Sequence, residues 1–415
     1  MEKELNYCNI ESLESALQLM ESDESCIRHY AFLNIDFERI DHLERVLGFH
    51  IFEDCLFLGC VLPALLIHRM DEDCLIFPKI PDLDYNVFRN RLYYPRKLYD
   101  KYVPGHPETF EDCYDTMVYN RYRERGITSS NVKITLARTL HDHFITKAMH
   151  QLLARFDERQ VIGIMGGHGL LRDDPMYRQT ALLSKHLTEE GSLMVTGGGP
   201  GAMEATHLGA WMAGRFDEQL DEAIELLKVA PSFRDEGWLD TAFDVIERYP
   251  QEEYISLGVP TWLYGHEPST PFATHIAKYF TNAIREDEVL TIPMGGIIYT
   301  PGSAGTMQEI FQDAVQNHYL SLGYSSPMVF FGTHFWTDEM PVYPLFHQLM
   351  ESGRYQNLRL TLTDSPEEVI DVLLKFRREK IQKKELADKT PPNPTGDSDG
   401  NDATAKQKKA GNQII

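Results

Sequence analysis

Three stretches of this chain hold residues that could do chemistry together. The segment "TPGSAGTMQE", residues 300–309, offers backbone amides and two hydroxyls at Gly302, Ser303, Ala304, Gly305 and Thr306, then a carboxylate at Glu309. Glycine lets a ligand approach the backbone, and the first amides of a helix are unpaired and sit at the positive end of its dipole. A phosphate fits such a mouth. Glu309 follows Thr306 by three residues, about one helical turn inward on the same side. A phosphate ester held at the mouth would present its sugar to that carboxylate. Two further glycine turns follow apolar runs: Gly166, Gly167 and His168 in "MGGHG", and Gly197, Gly198, Gly199 and Gly201 in "TGGGPGAM". A single turn could need glycine for its backbone alone. Three at one edge of one sheet point to a nucleotide-like ligand, with Met203 and Glu204 just inside the helix after the second turn and Glu204 able to bind ribose hydroxyls.

The elements that must position these residues are legible in outline. "QVIGIMGG", "SLMVTGGG" and "MGGIIYTPG" each read as a buried strand entering a glycine turn, with helical sequence beyond. "EYISLGVP", "SPMVFFG" and "LRLTLTD" add strands. Asp173 or Asp174 caps one helix, with Pro175 in its first turn and Gly191 past its end, and Ser365, Pro366 and Glu368 open the last helix. This alternation predicts an α/β protein with a doubly wound, Rossmann-like parallel sheet, whose ligand sites lie at the C-terminal ends of the strands. A leading helix is predicted over 131–156, where Leu140, Phe144, Ala148 and Leu152 recur every fourth position and Ser129 or Ser130 caps it. His141 and His143 within it face different sides and make a poor metal pair.

The nucleotide-binding domain is expected to span 131–388, with helices inserted near 215–250. Residues 1–130 form an additional N-terminal α/β accessory region, with a short helix in "ESLESALQLM" and strands in "HYAFLNIDF" and "CLFLGCVL". The aromatic and basic stretch over 85–104 reads as a packed or intersubunit surface. Residues 389–415, rich in Pro, Gly, Asp and Lys, read as a disordered tail.

Composition narrows the partners. The 415 residues carry a net charge of −23, which repels nucleic acid and anionic membranes but not a small anion at a local site. Cys8, Cys26, Cys55, Cys60, Cys74 and Cys113 form no metal-spaced cluster and read as reduced thiols. The N-terminus lacks a signal pattern, and the longest apolar run, residues 55–67, is too short to span a bilayer and contains Pro63. A cytoplasmic protein with no metal and no cofactor is expected. The GxxxxGK[ST] loop is absent. Gly197, Gly199 and Ala202 loosely match the dinucleotide fingerprint, with Asp217 and Glu218 in reach of a ribose. That fingerprint belongs after the first strand of its unit, however, and here a strand and helix precede it, so an NAD-type oxidoreductase is a minor alternative.

Taken together, "MGGHG…DDPMY", "TGGGPGAM" and "PGSAGTMQE" resemble the LOG-like nucleotide phosphoribohydrolases, often labelled lysine decarboxylase-like, over roughly residues 160–380. The "GGGPGAM" form and the extra N-terminal region are similar to the longer branch that contains the pyrimidine/purine nucleotide monophosphate nucleosidase. The resemblance implies hydrolysis of the N-glycosidic bond of a nucleoside 5′-monophosphate to free base and ribose 5-phosphate. It implies a catalytic pair at Glu309, which matches the closing glutamate of the P-G-G-x-G-T-x-x-E motif, and Arg285 in "NAIREDEVL", which matches the family arginine with one inserted residue. It also implies a homo-oligomer, dimer or tetramer. Ser303 stands where the motif has its second glycine, and Gln308 where an acidic residue is usual. These departures leave room for an alternative, a nucleotide-sensing binding protein with little turnover. Decarboxylation with pyridoxal phosphate would need a lysine in a glycine turn. Lys185, Lys228 and Lys278 lie outside them.

Overall fold

The computed structural model describes residues 7–22 and 25–379. The tail expected from residue 389 lies outside the described residues. The main body is a seven-stranded, all-parallel sheet. Across the sheet the strands run His275–Ile276, Ser256–Gly258, Leu193–Thr196, Val161–Met165, Ile297–Tyr299, Pro327–Phe331 and Arg359–Thr363.

Both faces are buried, which is why these strands are apolar without alternation. Successive side chains point to opposite faces. Ile162, Ile164, Met194, Ile298, Val329 and Phe331 meet the helices Pro175–Glu189 and Pro366–Arg378. Val161, Met165, Val195, Tyr299, Met328 and Phe330 meet the opposite layer, which includes the helices Val132–Leu153, Asn282–Thr291 and Ala304–Tyr319.

From Val161–Met165 the chain winds to one side through Leu193–Thr196, Ser256–Gly258 and His275–Ile276. It then returns to Ile297–Tyr299 on the other side and continues outward. The strand order therefore reverses between Val161–Met165 and Ile297–Tyr299, which pair in register from Ile297 with Gly163 to Tyr299 with Met165. A crevice opens at the C-terminal ends of two such strands, because the connections leave them in opposite directions. Gly166 to His168 and Pro301 to Ser303 are the residues that follow these two strands.

Several local expectations shift by a residue or two. The leading helix is Val132–Leu153, and its cap is Asn131, whose side chain accepts from the Lys133 amide, in place of Ser129 or Ser130. Ser129 instead accepts from the amide of Asn131, one step earlier. Asp174, not Asp173, caps Pro175–Glu189. The insertion is two helices, Asp217–Leu227 and Trp238–Arg248, whose inner faces close a core over Tyr177, Ala205, Leu208 and Met212. The His275–Ile276 strand was not anticipated. It is two residues long and is bridged on its far side by Tyr93.

The N-terminal region holds a second parallel sheet, in the order Cys8–Ile10, Tyr30–Leu33, Leu56–Leu58 and Leu75–Phe77. Its small core centres on Phe32, Phe37, Phe52 and Phe57, with the Phe32 and Phe57 rings stacked at 4.8 Å. The packing draws its limit well before residue 130. Tyr93, Leu98, Tyr99, Tyr114, Val118 and Tyr122 belong to the core of the large sheet. Among the described residues no helix is long and apolar enough to cross a membrane.

Candidate functional site

The helix Ala304–Tyr319 starts directly at the switch point. Ser303 stands at its cap position without a side-chain cap bond, and the Met307 amide donates to the Ser303 carbonyl at 3.0 Å. The amides of Ala304, Gly305 and Thr306 find no acceptor among the described residues. Ser303, Ala304 and Gly305 are exposed, so these donors face an open space.

That space is a hollow of about 370 Å³. Its walls bring together Gly166, Gly167, His168, Met203, Arg285, Ser303, Ala304, Gly305, Thr306 and Glu309. The glycine turn at 197–201 lies behind this wall, and Gly302 lies beneath Thr306. A Cβ on Gly302 would come within 2.2 Å of the Thr306 hydroxyl. Gly201 has φ +71° and abuts the carbonyls of Gly167 and His168, so the two glycine turns are locked together there.

Glu309 is 9% exposed and opens on the hollow. Its carboxylate accepts no hydrogen bond from any described residue. Burial pushes it up from 4.5 to about 7; the Arg285 guanidinium pulls against this and the charge of Glu286 adds to it. One turn deeper on the same helix face, Asp313 accepts from the Tyr299 hydroxyl at 2.7 Å and from Asn317 at 3.0 Å. Asn317 in turn accepts from the Ser326 amide at 2.8 Å. This buried chain pins the helix to the sheet and fixes the level at which Glu309 enters the hollow.

Arg285 projects from Asn282–Thr291. Its Nε donates to the Val259 carbonyl at 2.8 Å and its Nη1 to Glu286 at 2.7 Å. The remaining nitrogen, Nη2, lies where a Cβ on Gly197 would approach to 2.1 Å. Gly197 thus makes room for the guanidinium, and Arg285 is held in orientation with one edge unspent. The helix itself is set by Asp142, whose two carboxylate oxygens accept from the amides of Phe280 and Thr281, each at 2.9 Å.

Glu204 is placed differently from its expected role. It is buried and does not line the hollow. Its two oxygens accept from Nε of Arg172 at 3.1 Å and from Nη2 of the same residue. Arg172 also donates to the carbonyls of Ala230 and Trp238 and to the Thr241 hydroxyl. What Glu204 holds is the joint between its own helix and the insertion. An acidic residue in the first turn of a helix looks the same in sequence whichever way it faces.

Four wall residues lie outside the predicted site: Tyr264, Glu267, Glu286 and Gln308, the last noted in the sequence only as a departure from the motif. Glu286 had a signal, being adjacent to Arg285 in the run "REDE". Tyr264 and Glu267 lie in "LYGHEPST", a loop without periodicity, and only the fold brings them opposite the helix mouth.

No protein-family model matches the chain, and no curated protein matches it. Solved structures do show a likeness. The molybdenum cofactor binding protein from the phototrophic bacterium Rippkaea orientalis is 16% identical, covering 52% of this chain and 96% of its own, with a TM-score of 0.32. The Moco carrier protein from Chlamydomonas reinhardtii gives the same 16%, 52%, 96% and 0.32. These scores carry no weight for the ligand of this chain; the hollow at the switch point does.

Proposed function

We propose that this chain hydrolyses the N-glycosidic bond of nucleoside 5′-monophosphates, releasing free base and ribose 5-phosphate. The observation that carries the reading is the placement of Glu309: a buried carboxylate without a hydrogen-bond donor, about one helical turn inward from three open amides.

The phosphate docks on the amides of residues 304–306, with the Ser303 and Thr306 hydroxyls beside it. Phosphate binding then acts as the positioning device and sets the ribose against Glu309. As the C1′–N bond breaks, its electron pair leaves with the base, which takes a proton from solvent. Positive charge builds on the ribose ring. The Glu309 carboxylate stabilises that charge and accepts a proton from the water that attacks C1′. A carboxyl group near 7 is well matched to a base working at neutral pH. The free edge of Arg285 offers a fork of donors to the phosphate or the ribose hydroxyls.

The test is incubation of the protein with each common nucleoside monophosphate, followed by detection of free base and ribose 5-phosphate. Release by the wild type, lost in E309A while nucleotide binding persists, supports the hydrolase. Tight binding without release from any nucleotide refutes it and leaves a nucleotide sensor.

A further inference from the structure

We propose that the turn over residues 264–267 reads the base and selects guanine nucleotides through the Glu267 carboxylate, a proposal that rests on the hydrolase reading of the same hollow. The turn closes tightly, with the Glu267 amide donating to the Tyr264 carbonyl at 2.8 Å. It presents two different groups to the hollow: the Tyr264 ring, 45% exposed, and the Glu267 side chain, 19% exposed. An aromatic ring offers a stacking face that any base can use. A carboxylate placed beside it reads the edge.

Glu267 keeps its hydrogen-bonding capacity, although two histidine rings flank its Oε1 at ion-pair distance. The ring nitrogens nearest to it, Nδ1 of His168 and Nε2 of His266, stand at 3.6 and 3.8 Å, beyond hydrogen-bonding distance. No described residue donates a hydrogen bond to either oxygen. The carboxylate reaches across towards the glycine turn: its Oε2 lies 3.8 Å from where a Cβ on Gly199 would be.

The turn is also held rigidly enough to discriminate. Trp262 at its base is fully buried, stacks on Phe280 at 4.5 Å, and donates its indole N–H to Asp115 at 3.0 Å. Lys278 donates to both oxygens of Asp115, at 2.6 and 2.8 Å, and to the Ser269 hydroxyl at 3.1 Å. Tyr99 donates to the Ser269 carbonyl. Gly265 lies against the Tyr119 ring, where a Cβ would approach to 2.4 Å.

The choice of base follows from donor arithmetic. An ionised carboxylate only accepts, and its two oxygens suit two parallel N–H donors. Guanine shows such a pair, N1–H beside the 2-amino group. Hypoxanthine keeps only N1–H. Adenine and cytosine show one amino group next to a ring nitrogen lone pair, which repels the second oxygen. Uracil shows one imide N–H between two carbonyls.

The test uses purified full-length wild type and E267Q with GMP and IMP, which differ only in the 2-amino group. A hydrogen bond to a charged partner corresponds to roughly ten- to a hundred-fold, so the wild type should favour GMP in kcat/KM by at least about ten-fold. A glutamine at 267 opposes a donor to one of the two base donors, so the GMP-to-IMP ratio in E267Q should fall by at least about ten-fold, chiefly through KM for GMP. A wild type that prefers IMP, AMP or CMP, or a ratio that E267Q leaves unchanged, overturns the proposal. If no nucleotide yields free base, the hydrolase reading fails separately and the turn is judged by calorimetry. Tighter GMP than IMP binding that is lost in E267Q then sustains it, and equal affinities or no binding overturn it.

Discussion

Replacing Glu309 by glutamine should make this protein both inactive and more stable, and the gain should depend on pH. The folded protein holds the Glu309 proton up to about 7, whereas an unperturbed glutamate releases it at 4.5. Between those values the unfolded chain has lost a proton that the folded chain still binds. Stability therefore falls as pH rises from 4.5 to about 7, and the cost is constant above that. At 1.36 kcal/mol per tenfold in proton affinity, the full cost is about 3 kcal/mol, present at pH 8 and reduced to about 1 kcal/mol at pH 5. Glutamine carries no charge to desolvate, so E309Q should gain about 3 kcal/mol at pH 8 and about 1 kcal/mol at pH 5. Urea titrations of both proteins at the two pH values measure this. Activity should move oppositely: wild-type kcat/KM should rise about tenfold per pH unit below a midpoint near 7, and E309Q should lose roughly a hundredfold or more. A gain of equal size at both pH values, a loss of stability at pH 8, or an activity midpoint near 4.5 would refute the reasoning, because each would mean that the carboxylate is not buried against its charge.

Two further perturbations address the supports of the site. G197A puts a methyl group 2.1 Å from the Arg285 Nη2 and should displace the guanidinium, lowering kcat/KM at least about tenfold while circular dichroism shows an intact fold. D115A leaves the Lys278 ammonium buried without its partner and should cost about 3–5 kcal/mol in a denaturant titration, with D115N recovering part of that through the bond from Trp262.

The parts of the site that were legible in sequence are those governed by neighbours along the chain. A glycine turn between an apolar run and a helix shows its purpose within ten residues, so the open amides at 304–306 and the level of Glu309 followed from spacing. The doubly wound parallel sheet was legible from the alternation of strands and helices, and the cap of Pro175–Glu189 was narrowed to Asp173 or Asp174, of which the fold uses Asp174. What was not legible depends on residues far apart in sequence. Glu204 and Glu309 both sit near the start of a helix after a glycine turn, yet one meets Arg172 and the other a hollow. Nothing within either helix decides which. Glu267 faces the helix mouth only because Asp115, Tyr119 and Lys278, contributed by two other parts of the chain, hold its loop there. The limit of the accessory region was obscured because residues 92–122 mix tyrosines and charges, as a surface would. In the fold the tyrosine rings go into the core, and Lys97 and Arg89 lie over the faces of Tyr114 and Tyr93 at 4.3 and 4.0 Å.

The bracing of the 264–267 turn by Tyr99, Asp115 and Tyr119 means that this chain cannot be trimmed to its Rossmann-like half without loosening that wall of the hollow. A shortened version beginning at the Val132–Leu153 helix would keep the open amides at 304–306 and Glu309. It would also leave the Trp262 indole N–H without its acceptor Asp115 and Lys278 without that counter-charge, and the far wall of the hollow would lose these anchors. On the proposed reading, such a truncation would lose its choice of base before its grip on phosphate.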